Sequence, residues 1–158
     1  MQKANSLTIS QQSLRMTMLI PELKVLNFAS SLDFYTRLAG FELLYMRSEQ
    51  DFSMLEINGA RLMIEGLNDK SRSWRVAQME RPFGRGMHLQ IEVHNVQHLY
   101  QNFKQAGYPI FLQMEEKWYR RNSEETGHNQ FLVQDPDGYL LRFFENIGTR
   151  PFAPHTTS

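Results

Sequence analysis

The chain has no cysteine among its 158 residues. That excludes disulfides, thiolate nucleophiles and thiolate metal sites, and leaves carboxylates, histidines and hydroxyls to carry any chemistry. A surplus of charge is missing too, because 17 Lys and Arg balance 17 Asp and Glu. Without a basic field there is nothing to gather nucleic acid or anionic lipid, so neither a nucleic-acid nor a membrane partner is expected. No stretch approaches the ~18 successive apolar residues of a membrane helix. The opening segment, Met1 to Met16, is polar and rich in Gln and Ser, without the apolar centre of a secretion signal. A soluble, cytoplasmic protein is the expectation.

What is present is enough hydrophobic material, 41% of the chain, for one domain with its own core. The chain also repeats itself. A first copy runs through Leu23, Val25 and Asn27, then a helically spaced set of Leu32, Phe34, Tyr35 and Leu38, to Gly40-Phe41. A second runs through Leu89, Ile91, Val93 and Asn95, then Leu99, Tyr100 and Phe103, to Gly107-Tyr108. Each copy passes from an alternating strand, through an Asn able to cap a helix, to a Gly able to end one.

Both copies then turn to strand. In the first, Phe41–Arg47, Phe52–Ile57 and Arg61–Glu65 form a meander, with Asn58-Gly59 as a tight hairpin turn. In the second, Ile110–Gln113, Lys117–Arg121, His128–Gln134 and Tyr139–Glu145 take the same part, with turns at Asn122–Gly127 and Asp135-Pro136-Asp137-Gly138. The predicted fold class is α+β, as two tandem βαβββ modules. One domain is predicted over 13–148, with module one at 13–66, a connector at 67–85, module two at 86–148, and tails at 1–12 and 149–158.

Ser31-Leu32-x-Phe34-Tyr35 followed by Leu38-x-Gly40-Phe41, together with Asp135-Pro136-Asp137-Gly138-Tyr139, resembles the signatures of the glyoxalase/bleomycin resistance/dioxygenase (vicinal oxygen chelate) superfamily. The resemblance covers about Leu19 to Ile147. It implies curved mixed sheets forming a cleft that is often completed by a partner chain, and in many members four metal ligands placed on the first and last strand of each module. Carried onto this sequence, those positions fall at Ile20, near Glu65, at His88 and at Arg142. Ile20 offers no donor, and Arg142 brings a fixed positive charge that repels a cation. An open metal site needs about three or more protein donors, so no metal and no cofactor are expected. The Arg in the last position resembles the bleomycin resistance proteins, which are metal-free dimers that sequester a drug.

The candidate ligand-binding residues are Glu65, His88, Arg142, Trp118, Arg120 and Phe52, and His88 is the best single candidate for a catalytic base. Arg142 reads either as a buried ion pair with Glu65 or as a clamp for a ligand carboxylate or phosphate. His88 reads either as a hydrogen-bonded core histidine or as a base. Strand alternation sends Trp118 and Arg120 to one side and Tyr119 to the other, and the Trp118 side is the one entertained as a stacking wall. Met54, Trp74 and Phe83 are further possible lining residues. His94 and His98 read as surface residues beside a helix start.

The expected function is that of a homodimeric small-molecule binding or sequestering protein of the bleomycin-resistance type. Bleomycin itself is a poor expectation, since a cationic drug would find no acidic surplus here. The rival is a metal-dependent lyase, isomerase or dioxygenase of the same superfamily, with His88 as base. A third reading is a partner-binding dimer whose cleft is closed by its own side chains.

Overall fold

The computed structural model describes residues 19–68 and 74–153. In the first half, β1 (Glu22–Val25) leads into α1 (Phe28–Asp33), which runs on as a π-helical turn over Phe34–Leu38. The strands β2 (Glu42–Arg47), β3 (Phe52–Ile57) and β4 (Ala60–Gly66) follow. The second half repeats the plan with β5 (His88–Glu92), α2 (Val96–Gln105), β6 (Leu112–Arg121), β7 (Glu124–Gln134) and β8 (Leu140–Pro151).

Each half forms a mixed four-stranded sheet with the same order, β1-β4-β3-β2 and β5-β8-β7-β6. The first strand of each module lies parallel to its last, and the remaining pairs are antiparallel hairpins. This is the α+β fold of two similar modules. The predicted tail at 1–12, residues 13–18, the connector's 69–73 and residues 154–158 of the predicted C-terminal tail lie outside the described residues.

Local chemistry accounts for the repeat. Asn27 accepts a hydrogen bond from the Ser30 N–H and Asn95 one from the His98 N–H, so each helix starts on a side-chain cap that spares a backbone donor from going unpaired. On α2 the buried residues are Val96, Leu99 and Phe103, a stripe at helical spacing that faces the sheet. The turn at Asn58-Gly59 has both residues at positive φ, 49° and 82°, which matches the twist of the hairpin between β3 and β4.

Two boundaries differ from those the sequence predicts. The segment read as a turn, Asn122–Gly127, is mostly strand: β7 begins at Glu124, and only Asn122-Ser123 turn the chain. The C-terminal tail likewise starts later than Thr149, because β8 continues to Pro151 and pairs Thr149, Arg150 and Pro151 with Thr126, Glu125 and Glu124. Polar, weakly patterned residues form strand here because the backbone ladder between neighbours supplies the hydrogen bonds, whatever the side chains prefer. The two predicted pieces of the sixth strand are one strand, β6, with an irregularity between Leu112 and Glu115.

Both sheets turn their apolar side into a common core. Leu23, Val25, Leu55, Leu62 and Ile64 of the first join Ile91, Phe131, Val133, Leu141 and Phe143 of the second in one cluster. The helices meet inside it, with the Phe34 and Phe103 rings 5.8 Å apart. Phe83 of the connector is buried there against Tyr139, and so belongs to the core and not to a ligand site.

The Asp-Pro-Asp-Gly turn does more than reverse the chain. Asp137 accepts hydrogen bonds from the Leu26 N–H at 3.0 Å and from Arg81 at 2.7 Å, and Asp135 accepts one from the Tyr35 hydroxyl at 2.8 Å. The Tyr139 hydroxyl donates to the Lys24 carbonyl at 3.1 Å. The turn that closes module two is thus bonded to the first strand and helix of module one.

Candidate functional site

Alternation along the strands leaves each sheet with one face turned away from the core. In the second sheet that face carries His88, Gln90 and Glu92 of β5, Leu140, Arg142 and Phe144 of β8, and His128, Gln130 and Leu132 of β7. Pairing aligns Gln90 and Leu132 on either side of Arg142. Phe144 is buried yet stands outside the core cluster, because it packs on this other face against His128, ring to ring at 4.2 Å.

Arg142 is the centre of the face. Its Nε donates to Gln130 Oε1 at 2.9 Å, and its Nη2 lies 3.3 Å from His128 Nδ1. A guanidinium can only donate, so Nδ1 accepts and a neutral His128 carries its proton on Nε2. The guanidinium also lies over the Tyr119 ring, 4.8 Å from its centre, and Tyr119 exchanges hydrogen bonds with Gln130. Gln130 is tied in turn to Glu115 at 2.7 Å. Burial, and then the Arg142 charge, hold the His128 pKa below the ordinary histidine value, with Glu92 opposing.

The corresponding face of the first sheet is built differently. Lys24 and Glu65 are register partners on β1 and β4, and their side chains form a hydrogen-bonded ion pair in which both are largely buried. Phe52 stands opposite Glu65 on β3, beneath the Arg47 guanidinium at 3.8 Å. The ion pair of Glu65 with Arg142 that the sequence suggests is not formed: the two residues belong to different sheets, and Glu65 pairs with its neighbour Lys24. Among the described residues no carboxylate lies within ion-pair distance of Arg142.

Trp118 and Arg120 take the side of β6 opposite to Arg142. Trp118 packs over Gly127 beneath the Arg150 guanidinium, 4.1 Å from the ring, and Arg120 covers Phe152 at 4.2 Å. The residue on the candidate face is Tyr119. Pairing of Lys117 with His128 and of Tyr119 with Thr126 decides this, since a strand's neighbours always point opposite ways. Trp74, on the connector, is exposed.

His88 is exposed at the start of an edge strand and is not a core histidine. It lines a groove of about 520 Å³ between the modules, with Ile20, Phe41, Leu62, Ile91 and Gln90. The volume is that of a small-molecule site. Arg142 is not part of its lining, but Gln90 belongs to both places: it lines the groove and sits beside Arg142 in the sheet.

The four positions at which the resemblance implies metal ligands do not make a donor set. Ile20 has no donor atom, Glu65 is engaged by Lys24, and Arg142 is a cation. Among the described residues no group of three or more His, Asp or Glu is placed to hold an ion. The residues present do not fit a metal centre of that kind.

Sequence reasoning missed His128, Gln130 and Tyr119. The signal was there in part: His128, Gln130 and Leu132 alternate as Leu140, Arg142 and Phe144 do. Only the register between β7 and β8 shows that the two alternations share a face.

Comparison with known proteins agrees with this architecture. The family model of the Glyoxalase/Bleomycin resistance protein/Dioxygenase superfamily matches residues 21–143, and the chain belongs to that superfamily. Among curated proteins no relative was found. Of the solved structures, a superfamily member from Vibrio splendidus 12B01 is 33% identical over 78% of this chain and 94% of its own, with a TM-score of 0.37. TioX from Micromonospora sp. ML1 is 20% identical over 82% of this chain and 98% of its own, with a TM-score of 0.58. The genomically encoded fosfomycin resistance protein FosX of Listeria monocytogenes is 16% identical over 81% of this chain and 90% of its own, with a TM-score of 0.54. The last two show likeness of fold. No helix among the described residues is long and apolar enough to cross a membrane.

Proposed function

We propose that the protein binds a small molecule without a metal ion, as a homodimer of the bleomycin-resistance type. The observation that supports this best is Arg142. It stands where the superfamily resemblance implies a metal-ligating carboxylate, and it is built in by Gln130, His128 and Tyr119. A guanidinium so held cannot swing aside for a cation. His88, the candidate base, has no orienting carboxylate bonded to it among the described residues, so the parts for proton transfer are not assembled.

The homodimer rests on β2. This strand is an edge of its sheet, and Leu43, Leu44, Tyr45 and Met46 follow one another along it, each between 42% and 48% exposed. An apolar edge of that length pairs with another chain unless something covers it. A second copy carries the matching edge.

Elemental analysis of protein purified without chelator tests the metal-free reading. The expected result is far less than one ion per chain, and near-stoichiometric Ni, Zn, Fe or Mn would overturn it. A thermal-shift screen against a panel of small molecules tests binding: a ligand at a hundred times its Kd stabilises the folded chain by ~2.7 kcal/mol. Light scattering after size exclusion reads the oligomeric state, and a monomer at micromolar concentration would remove the dimer from the proposal.

A further inference from the structure

Arg142 leaves a charge unaccounted for. Two of the five N–H donors of a guanidinium are used, toward Gln130 and His128, both neutral acceptors. The rest have no protein acceptor among the described residues, and no carboxylate among them lies within ion-pair distance. A half-buried guanidinium in this condition is unusual, because buried charge is normally paired. Two other arginines of the second module do have carboxylate partners: Arg150 bonds Glu125 at 2.7 Å, and Arg121 lies 3.8 Å from Glu124.

The surroundings of Arg142 define what would answer it. Leu132 beside it, Leu140 on its own strand and the Tyr119 ring beneath it, each half-buried, form an apolar, partly aromatic floor, with Phe144 buried under His128. The His128 and Tyr119 rings stand 5.3 Å apart, continuing that floor along β7 and β6. Gln90, exposed on β5, adds an amide donor next to the guanidinium. Glu92 on β5 acts electrostatically on His128 and Glu115 on β6 bonds Gln130, so negative charge already borders the face and weighs against a dianion such as phosphate.

Resting on the reading of the protein as a metal-free binder, we propose that this face takes an aromatic monocarboxylate. The ligand carboxylate is held by the free edge of Arg142 and by Gln90, and its flat ring lies against the half-buried Tyr119, Leu132 and Leu140. A guanidinium presents paired N–H groups that match a carboxylate in plane, and the ring wall favours a flat body over a puckered one.

The probe is 2-naphthoate, titrated into the wild-type chain by calorimetry beside its neutral counterpart 2-naphthamide and inorganic phosphate. The expected result is naphthoate binding at least tenfold tighter than the amide, and no heat from phosphate. Arg142→Gln should weaken naphthoate at least tenfold and abolish its preference over the amide. Equal affinity for acid and amide on the wild-type protein overturns the proposal, even if the variant does not fold, and so does naphthoate binding that survives Arg142→Gln. If naphthoate fails and the small-molecule screen yields a neutral or cationic ligand, the carboxylate assignment falls while the binding function stands. If the purified protein carries a stoichiometric metal, both fall together.

Discussion

The hydroxyl of Tyr35 donates a 2.8 Å hydrogen bond to the carboxylate of Asp135, 100 positions further along the chain, and both groups are buried. This bond joins the helix of module one to the turn that closes module two. Burial and the nearby Asp135 charge push the Tyr35 pKa well above the ordinary tyrosine value, so the hydroxyl keeps its proton. Tyr35→Phe removes the donor and leaves a buried acceptor partly unsatisfied, at a cost of about 1–3 kcal/mol. Asp135→Asn in the same background should add less than it does alone, because the two changes break one contact. Urea denaturation of the four proteins in the cycle measures the coupling.

Lys24 and Glu65 make the second buried contact to test. Lys24→Met takes a cation from a carboxylate that is 6% exposed, and the expected loss is on the order of 3 kcal/mol. Lys24→Met with Glu65→Leu together should recover much of it. Because Arg142 lies in the other sheet, Glu65→Leu and Arg142→Leu should be additive. A coupling above ~0.5 kcal/mol between those two would contradict the separation of the faces.

Stability should fall between neutral pH and pH 5, in part through His128. Its folded pKa lies below the ordinary histidine value of 6.5. The unfolded chain therefore takes up a proton first, and stability declines as pH drops below about 6.5 toward the folded pKa. Arg142→Gln removes the second cause of the depression, so the His128 resonance followed by NMR should titrate at higher pH in that variant. An unchanged midpoint would place the charge of Arg142 too far away to matter.

Gly138→Ala should be among the most damaging single changes. Gly138 has φ of +98°, and an added Cβ would lie 2.5 Å from the Pro82 Cβ and 2.6 Å from the Pro82 Cα. Positive φ alone costs an L-residue about 1 kcal/mol, and the clash with backbone cannot be relieved by turning a side chain. A loss well above 1 kcal/mol is expected in thermal melts. Gly59→Ala, which meets nothing within 4 Å, should show the conformational cost alone.

The sequence by itself determined the βαβββ repeat, because each module carries its own strand alternation, helix stripe, Asn cap and Gly stop within some tens of residues. It also determined that Ile20 and Arg142 offer a metal ion no donor, since donor chemistry is a property of the residue. Tertiary structure alone decided which side chains meet. Glu65 pairs with Lys24, 41 positions earlier, and Arg142 bonds Gln130 and His128, 12 and 14 positions earlier. Both depend on which strands become neighbours and in what register. A slip of one residue in β6 would have brought Trp118 and Arg120 to the face in place of Tyr119, and a period-two pattern reads the same either way. Backbone pairing breaks that tie, and with it chooses the residues that surround Arg142.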